Sequence, residues 1–117
     1  IVALLTDNPL DDQAVNLPNR GYITNLPEGA IVEVPALIDA HGIHGIGVGK
    51  LPDTVAEWCR REIFLAEKVV AAVVNQDKKA LLEALALDPM VDDLSVARNL
   101  LEDYLSANQK YLPMFGD

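Results

Sequence analysis

At Pro52 the chain changes character, and that change limits its fold more than any other feature. Just downstream, Thr54 and Glu57 stand in T-x-x-E spacing, where each side chain can satisfy an orphan amide of a first helical turn. Apolar positions Val55, Cys59, Ile63, Ala66, Val70 and Val73 then recur at helical spacing. Residues 69–74 read VVAAVV, apolar all round, which predicts a helix covered on more than one side. Asp77 is placed to cap a second helix through KKALLEALAL, which stops before Pro89. Asp92 or Asp93 opens a third, with Leu94, Ala97, Leu101, Tyr104 and Leu105 on one face, ending before Pro113.

Ahead of Pro52 the pattern is short and broken. AIVEVP predicts a strand over residues 30–34, ended by Pro35. IDAHGIHGIGVGKLP, with glycines at 42, 45, 47 and 49, predicts loop or irregular strand. The opening IVALLTDNP reads as the end of a helix stopped at Asp7, Asn8 and Pro9. A chain that opens inside an element, without an initiator methionine, is expected to be cut from a longer one. The expected organisation is one α+β fragment over residues 1–117, with a β-rich and loop-rich front (1–51) and a helical region (52–117).

Half of the 117 residues are apolar, enough for one packed domain and too many for a disordered chain. A net charge of −9 argues against nucleic acid, whose phosphates demand a lysine- or arginine-rich face. The longest apolar run is far short of the roughly 20 residues of a membrane span. Cys59 is the only cysteine, so no disulfide can close within the chain, and a reducing, cytoplasmic setting is expected.

Most chemical constellations have a plainer reading. His41 and His44 beside Asp39 suggest a metal pair, but the surrounding glycines argue against a helix that would aim both at one ion. GIGVGK fails as a phosphate loop, because the positions needing glycine and Ser/Thr hold His44 and Leu51. Cys59 lies on the stripe of Val55 and Ile63, as a buried, inert thiol would. Glu57, Glu62 and Glu67 alternate with Arg60, Arg61 and Lys68, the composition of a solvated helix face. No acid/base pair stands out, so no residue is assigned a catalytic or metal-binding role.

NLPNRGYITNLP, residues 16–27, is different: three asparagines crowd a segment flanked by apolar residues. An amide carries both donor and acceptor, which suits reading sugar hydroxyls or an amide-bearing cofactor. Asparagine also bonds its own backbone and tolerates left-handed turns. Residue type alone leaves both readings open.

The order of motifs separates them. NLPNRGYITNLP, VEVPALIDAHGIHGI, GKLP, the long helix, LDPMV and YLPMF together resemble the C-terminal part of glycoside hydrolase family 4, over about residues 15–115. That family comprises NAD- and manganese-dependent α-glucosidases, α-galactosidases, α-galacturonidases and 6-phospho-glycosidases. One departure is Gly45, where many relatives carry proline. The resemblance implies a domain like the second domain of lactate and malate dehydrogenases. It also implies a parent enzyme in which NAD oxidises the sugar's C3 hydroxyl, elimination follows, water adds and the ketone is reduced again, outside the two-carboxylate scheme.

The family's glycine fingerprint, metal ligands and base precede the matched region, so NAD and Mn2+ are expected in the parent and neither on this chain alone. Carried over onto this sequence are Asn16, Asn19 and Asn25 as substrate-binding positions and Gly21 as a structural turn. Asn16 and Asn19 are the better candidates for ligand contact. The expected partners are a carbohydrate substrate, an upstream dinucleotide-binding domain and further copies of the chain. The expected substrate is an unphosphorylated α-galactoside, α-glucoside or α-galacturonide, since Arg20 stands alone without a basic cluster. A non-catalytic helical interaction module, or the second domain of a dehydrogenase relative, are the alternative readings.

Overall fold

A computed structural model describes residues 1–6 and 8–115, arranged as two compact units, Ile1–Ile63 and the chain from Phe64 onward. The boundary between these units falls inside a helix whose first turns are tied to the front loop.

The first unit opens with one helical turn, α1 (Val2–Leu5), whose Ala3 is buried. Of the expected stop, Asp7 lies outside the described residues. Three antiparallel strands follow in the order β1-β2-β3: β1 (Leu10–Pro18), β2 (Ile31–Asp39) and β3 (Gly42–Gly45). Val32, Val34 and Ala36 are buried on one face of β2, while Ile31, Glu33 and Leu37 are exposed on the other, the period-2 pattern of a half-covered sheet. Ile23, Val32 and Val34 form the core here, with Leu17, Tyr22, Leu26 and Leu51 packed on it.

The strand expected to end at Pro35 runs through it. Opposite Pro35 the register slips: Asp12 pairs with Ala36 and Val15 with Val34, so Gln13 and Ala14 together face one residue. This is a β-bulge, and it accommodates a residue with no N–H for the ladder. The Asp12 carboxylate accepts from the displaced Ala14 N–H at 3.2 Å. Pro35 keeps its acceptor role toward the other side, taking the Ile46 N–H at 2.7 Å.

The long helix α2 (Asp53–Asn75) begins one residue before Thr54. The expected capping box is therefore displaced, and Glu57 instead pairs with Arg60 at 2.8 Å. Nor is the predicted stripe the buried one. Ala56, Leu65 and Ala72 are buried, while Val55, Ala66 and Val70 are exposed, and Cys59 is half-buried rather than fully enclosed. The two halves of α2 belong to different units, so no single stripe serves its whole length.

In the second unit α3 (Lys78–Leu87) and α4 (Leu94–Ala107) follow the expected boundaries. Asp77 accepts from Ala80 N–H at 3.0 Å, and Asp93 caps α4 through the Ser95 and Val96 amides. Ala72, Leu81, Leu101 and Leu105 form the core. A 3₁₀ turn, Pro113–Phe115, closes the described chain. The VVAAVV segment is less covered than expected: only Ala72 is buried, and Val74 is 73% exposed.

Candidate functional site

β1 ends at Pro18, and the chain then makes a compact loop that returns into β2 at Ile31. Asn19 lies at its centre and is 1% exposed, the one buried polar residue among the described residues. Its Nδ2 donates to the carbonyls of Ile23 (3.0 Å), Leu26 (3.2 Å) and Pro27 (3.1 Å). Its Oδ1 accepts from the Ile23 N–H at 3.1 Å. The backbone closes the same ring, with Asn19 N–H donating to Ala30 (2.7 Å) and Gly29 N–H donating to Asn19 (2.8 Å). Two amide hydrogens shared among three acceptors leave the Nδ2 no donor to spare, and the Oδ1 already takes one N–H. In this structure the Asn19 side chain, expected at the substrate, bonds the loop's own backbone and stands in for the sheet partners that a folded-over loop lacks.

Asn25 works the same way across a longer span. Its Oδ1 accepts from Leu51 N–H and its Nδ2 donates to the Leu51 carbonyl, both at 3.0 Å, as a neighbouring strand would. Arg60 Nη1 then donates to the Asn25 carbonyl at 2.7 Å, which fixes the first turns of α2 to the loop. A parallel bridge between Ile23 and Gly49 adds a second tie.

The remaining candidates behave differently. Asn16 is exposed on β1, directly across from Glu33 of β2, and its amide has no partner among the described residues. Gly21 has φ +84°, a left-handed turn with open space where a Cβ would stand. Between Asn19 and Gly21, Arg20 is exposed and its guanidinium has no partner among the described residues. Gly45 is explained by contact: a Cβ there would meet Tyr22 Cζ at 2.6 Å, so the ring occupies space that any side chain at 45 would need.

Sequence reasoning missed a cavity of about 470 Å³ that this stitching creates within the first unit. Ile23, Leu26 and Leu51 supply its apolar wall, and Glu33, Trp58 and Glu62 line it as well. The backbones of Ile23, Leu26 and Leu51 are bonded to Asn19 or Asn25. The spacing of Trp58 and Glu62, one helical turn apart, was the available signal.

The two histidines gather around Asp39. His44 Nε2 lies 3.1 Å and His41 Nδ1 3.6 Å from one Asp39 oxygen, all at the surface. The His41 backbone N–H, and secondarily His44, hold the Asp39 carboxyl below its ordinary value. Among the described residues no group of three or more His, Cys, Asp or Glu is arranged around one ion. No described helix is long and apolar enough to cross a membrane.

Residues 1–91 match the family model described as the family 4 glycosyl hydrolase C-terminal domain. The chain is similar to an α-glucosidase of Erwinia rhapontici, 33% identical over 93% of this chain and 24% of that protein. In structure it resembles a 6-phospho-α-glucosidase from gut microorganisms, solved with NAD and glucose 6-phosphate (TM-score 0.86, 28% identity, 95% of this chain and 25% of that one). It also resembles the Thermotoga maritima 6-phospho-β-glucosidase solved with manganese, NAD+ and glucose 6-phosphate (TM-score 0.85, 29% identity, 94% and 27%). The chain thus spans about a quarter of the length of the relatives it matches.

Proposed function

Because the chain belongs to the family 4 glycosyl hydrolases, matching their C-terminal domain, we propose that it is part of a glycosidase that cleaves O-glycosidic bonds by NAD-dependent oxidation and elimination. The observation that carries this is the family match over residues 1–91, which takes in the whole amide-stitched loop. In this reading the parent needs NAD and Mn2+. Both are expected on the rest of the parent and not on this chain alone, whose described residues hold no group of three or more His, Cys, Asp or Glu around one ion. No catalytic step is assigned to them. The chain's part is to present a pocket wall, with Asn16 facing the substrate and Asn19 and Asn25 holding the loop.

The substrate in this reading is an unphosphorylated α-galactoside, α-glucoside or α-galacturonide. Support comes from Arg20, an isolated cation where a dianionic phosphate is best held by several. The relatives include both 6-phospho-α- and 6-phospho-β-glucosidases, so phosphorylated glycosides belong in the same assay. A cytoplasmic setting, where NAD and reduced thiols coexist, is part of the proposal. So is self-association: Val69, Val73, Leu100 and Tyr104 border an apolar groove of about 350 Å³ in the second unit, and large apolar patches usually find a partner.

The test is turnover of nitrophenyl glycosides by the full-length parent with and without NAD, Mn2+ and reductant. Activity is expected only with all three, and none from the 117-residue chain alone. Turnover by the isolated chain, or by a parent stripped of NAD and metal, overturns the reading. Sedimentation of the chain at micromolar concentration should show a dimer or larger; a monomer removes the self-association.

A further inference from the structure

The hairpin of α3 and α4 carries opposite charge toward its two ends. Lys78, Lys79, Arg98 and Glu102 border a groove of about 380 Å³ whose floor is Leu82 and Leu101. Three of the nine lysines and arginines in a chain of net charge −9 meet there. Lys78 is engaged by Glu102 at 3.1 Å. Lys79 and Arg98 are exposed and have no ion pair among the described residues, although the Lys79 charge reaches Glu83 and adds to the stronger pull of Lys68 on that carboxyl. At the other end the loop between the helices, residues 88–93, reads DPMVDD, with three carboxylates and no cation. Met90 is 88% exposed in it, and Asp92 is exposed without a partner among the described residues. Groove and loop lie toward opposite ends of α3, whose ten residues span about 15 Å. A chain therefore cannot seat its own loop in its own groove; a second copy can.

We propose that this groove docks the Met90 loop of a second copy, in a symmetric pair whose hairpins run antiparallel, so that each loop enters the other's groove. Met90 of one copy then covers Leu82 and Leu101 of the other, and Asp92 faces Lys79 and Arg98. A methionine side chain is flexible enough to fill an irregular apolar gap. Charge selects the place. Two chains of net charge −9 repel over most of their surface, and contact is favoured where one of them locally reverses sign. The loop is also set in shape before it docks, which lowers the ordering cost of association. Asp88 accepts from the Met90 N–H at 2.8 Å, and Asp93 caps α4, which leaves Asp92 as the free charge. A two-fold axis makes the same contact twice. The inference rests on the self-association proposed above, for which it supplies a contact, and is independent of the glycosidase chemistry.

The test is sedimentation of the 117-residue chain and its charge variants over a range of concentrations. A dimer is expected, and it should weaken by about tenfold between roughly 0.05 and 0.5 M salt as the paired charges are screened. Arg98→Glu and Asp92→Arg should each weaken it by about tenfold or more, since every substitution falls twice in a symmetric pair. An equal mixture of these two variants should recover the affinity of the unaltered chain. In the mixed pair the reversed groove meets the reversed loop, and the native groove meets the native loop. Met90→Ser should weaken the dimer and leave its salt response unchanged. Both charged positions are exposed, so far-UV circular dichroism should not change. Should Arg98→Glu lose helix, Lys79→Glu takes its place and should likewise be rescued by Asp92→Arg. A dimer indifferent to salt or to the charge substitutions, or a mixture no tighter than its components, overturns this contact and leaves self-association to another face. An unaltered chain that stays monomeric at micromolar concentration overturns both.

Discussion

In the loop after β1 a single buried amide, Asn19, answers three carbonyls and one N–H. In the helical unit the comparable task of satisfying stray backbone groups falls to exposed aspartates, Asp77 and Asp93. The bonds have similar lengths, but their surroundings differ. Water replaces a lost cap at a helix end, whereas nothing replaces a lost amide inside the loop. A buried group left without its partner bears its full desolvation cost, about 1–3 kcal/mol, while an exposed bond nets far less. The helical unit can rely on exposed caps because its order comes from apolar packing of Ala72, Leu81, Leu101 and Leu105. The loop places Ile23 in the core, with Tyr22 and Leu26 against it, but its backbone is held by polar bonds.

The largest test of this contrast is Asn19→Ala. Four backbone groups lose their partner at once, and a destabilisation of roughly 3–5 kcal/mol is expected, read from urea unfolding. Hydrogen exchange should speed up at Ile23 and Gly29 and leave the amides of α3 and α4 little changed. A loss below about 1 kcal/mol, or unchanged stability with altered sugar binding, would break the comparison and return Asn19 to the ligand.

Asn25→Ala should cost less, about 1–2 kcal/mol, because only the two bonds to Leu51 are lost and the site is part-open to water. Its signature is positional. The Arg60 tie to the Asn25 carbonyl loosens, and the first turns of α2 should exchange faster while α4 does not. Equal acceleration in both helices would show that the two units open together.

The smallest effect is expected at Asp93, and it depends on pH. The Ser95 hydroxyl, then the Ser95 and Val96 amides, hold its carboxyl below the ordinary value, about 3.9 for aspartate. A lowered folded-state pKa stabilises the fold above the unfolded value, and that contribution disappears as pH falls through the folded one. The helical signal of α4 should therefore weaken on acidification below about pH 4. Asp93→Asn, which keeps the capping oxygen without the titration, should flatten that decline. An identical acid profile in the variant would mean that the cap contributes nothing measurable to α4.

Much of this contrast was legible in the chain itself. The ends of α3 and α4 followed from Asp77, Asp93 and Pro89, because capping and helix-stopping act within one turn. The motif series from Asn16 onward was enough to indicate the family. β1 was not foreseen: LDDQAVNLP has too few apolar residues to show alternation, and it is a strand because β2 offers it a ladder. The passage of β2 through Pro35 needed the bulge at Gln13 and Ala14, which lie more than twenty positions earlier in the chain. α2 misled in two ways. Its first residue is two earlier than the capping box implied, since a cap at Thr54 would start the helix at Val55, and its buried positions answer to two units instead of one stripe.

By itself, then, the sequence determined the helical back end, the loop-rich front and the family, all of which rest on interactions between near neighbours or on motif order. Only the tertiary structure decided what the asparagines do. An amide can bond a sugar or a backbone carbonyl equally well, and residue type does not distinguish them. Burial separates them: Asn19 is 1% exposed with each amide hydrogen engaged by the backbone, whereas Asn16 is exposed across from Glu33 with no partner among the described residues. That division depends on which side chains the folded chain closes over, and closure is set by contacts between residues as far apart as Asn25 and Arg60.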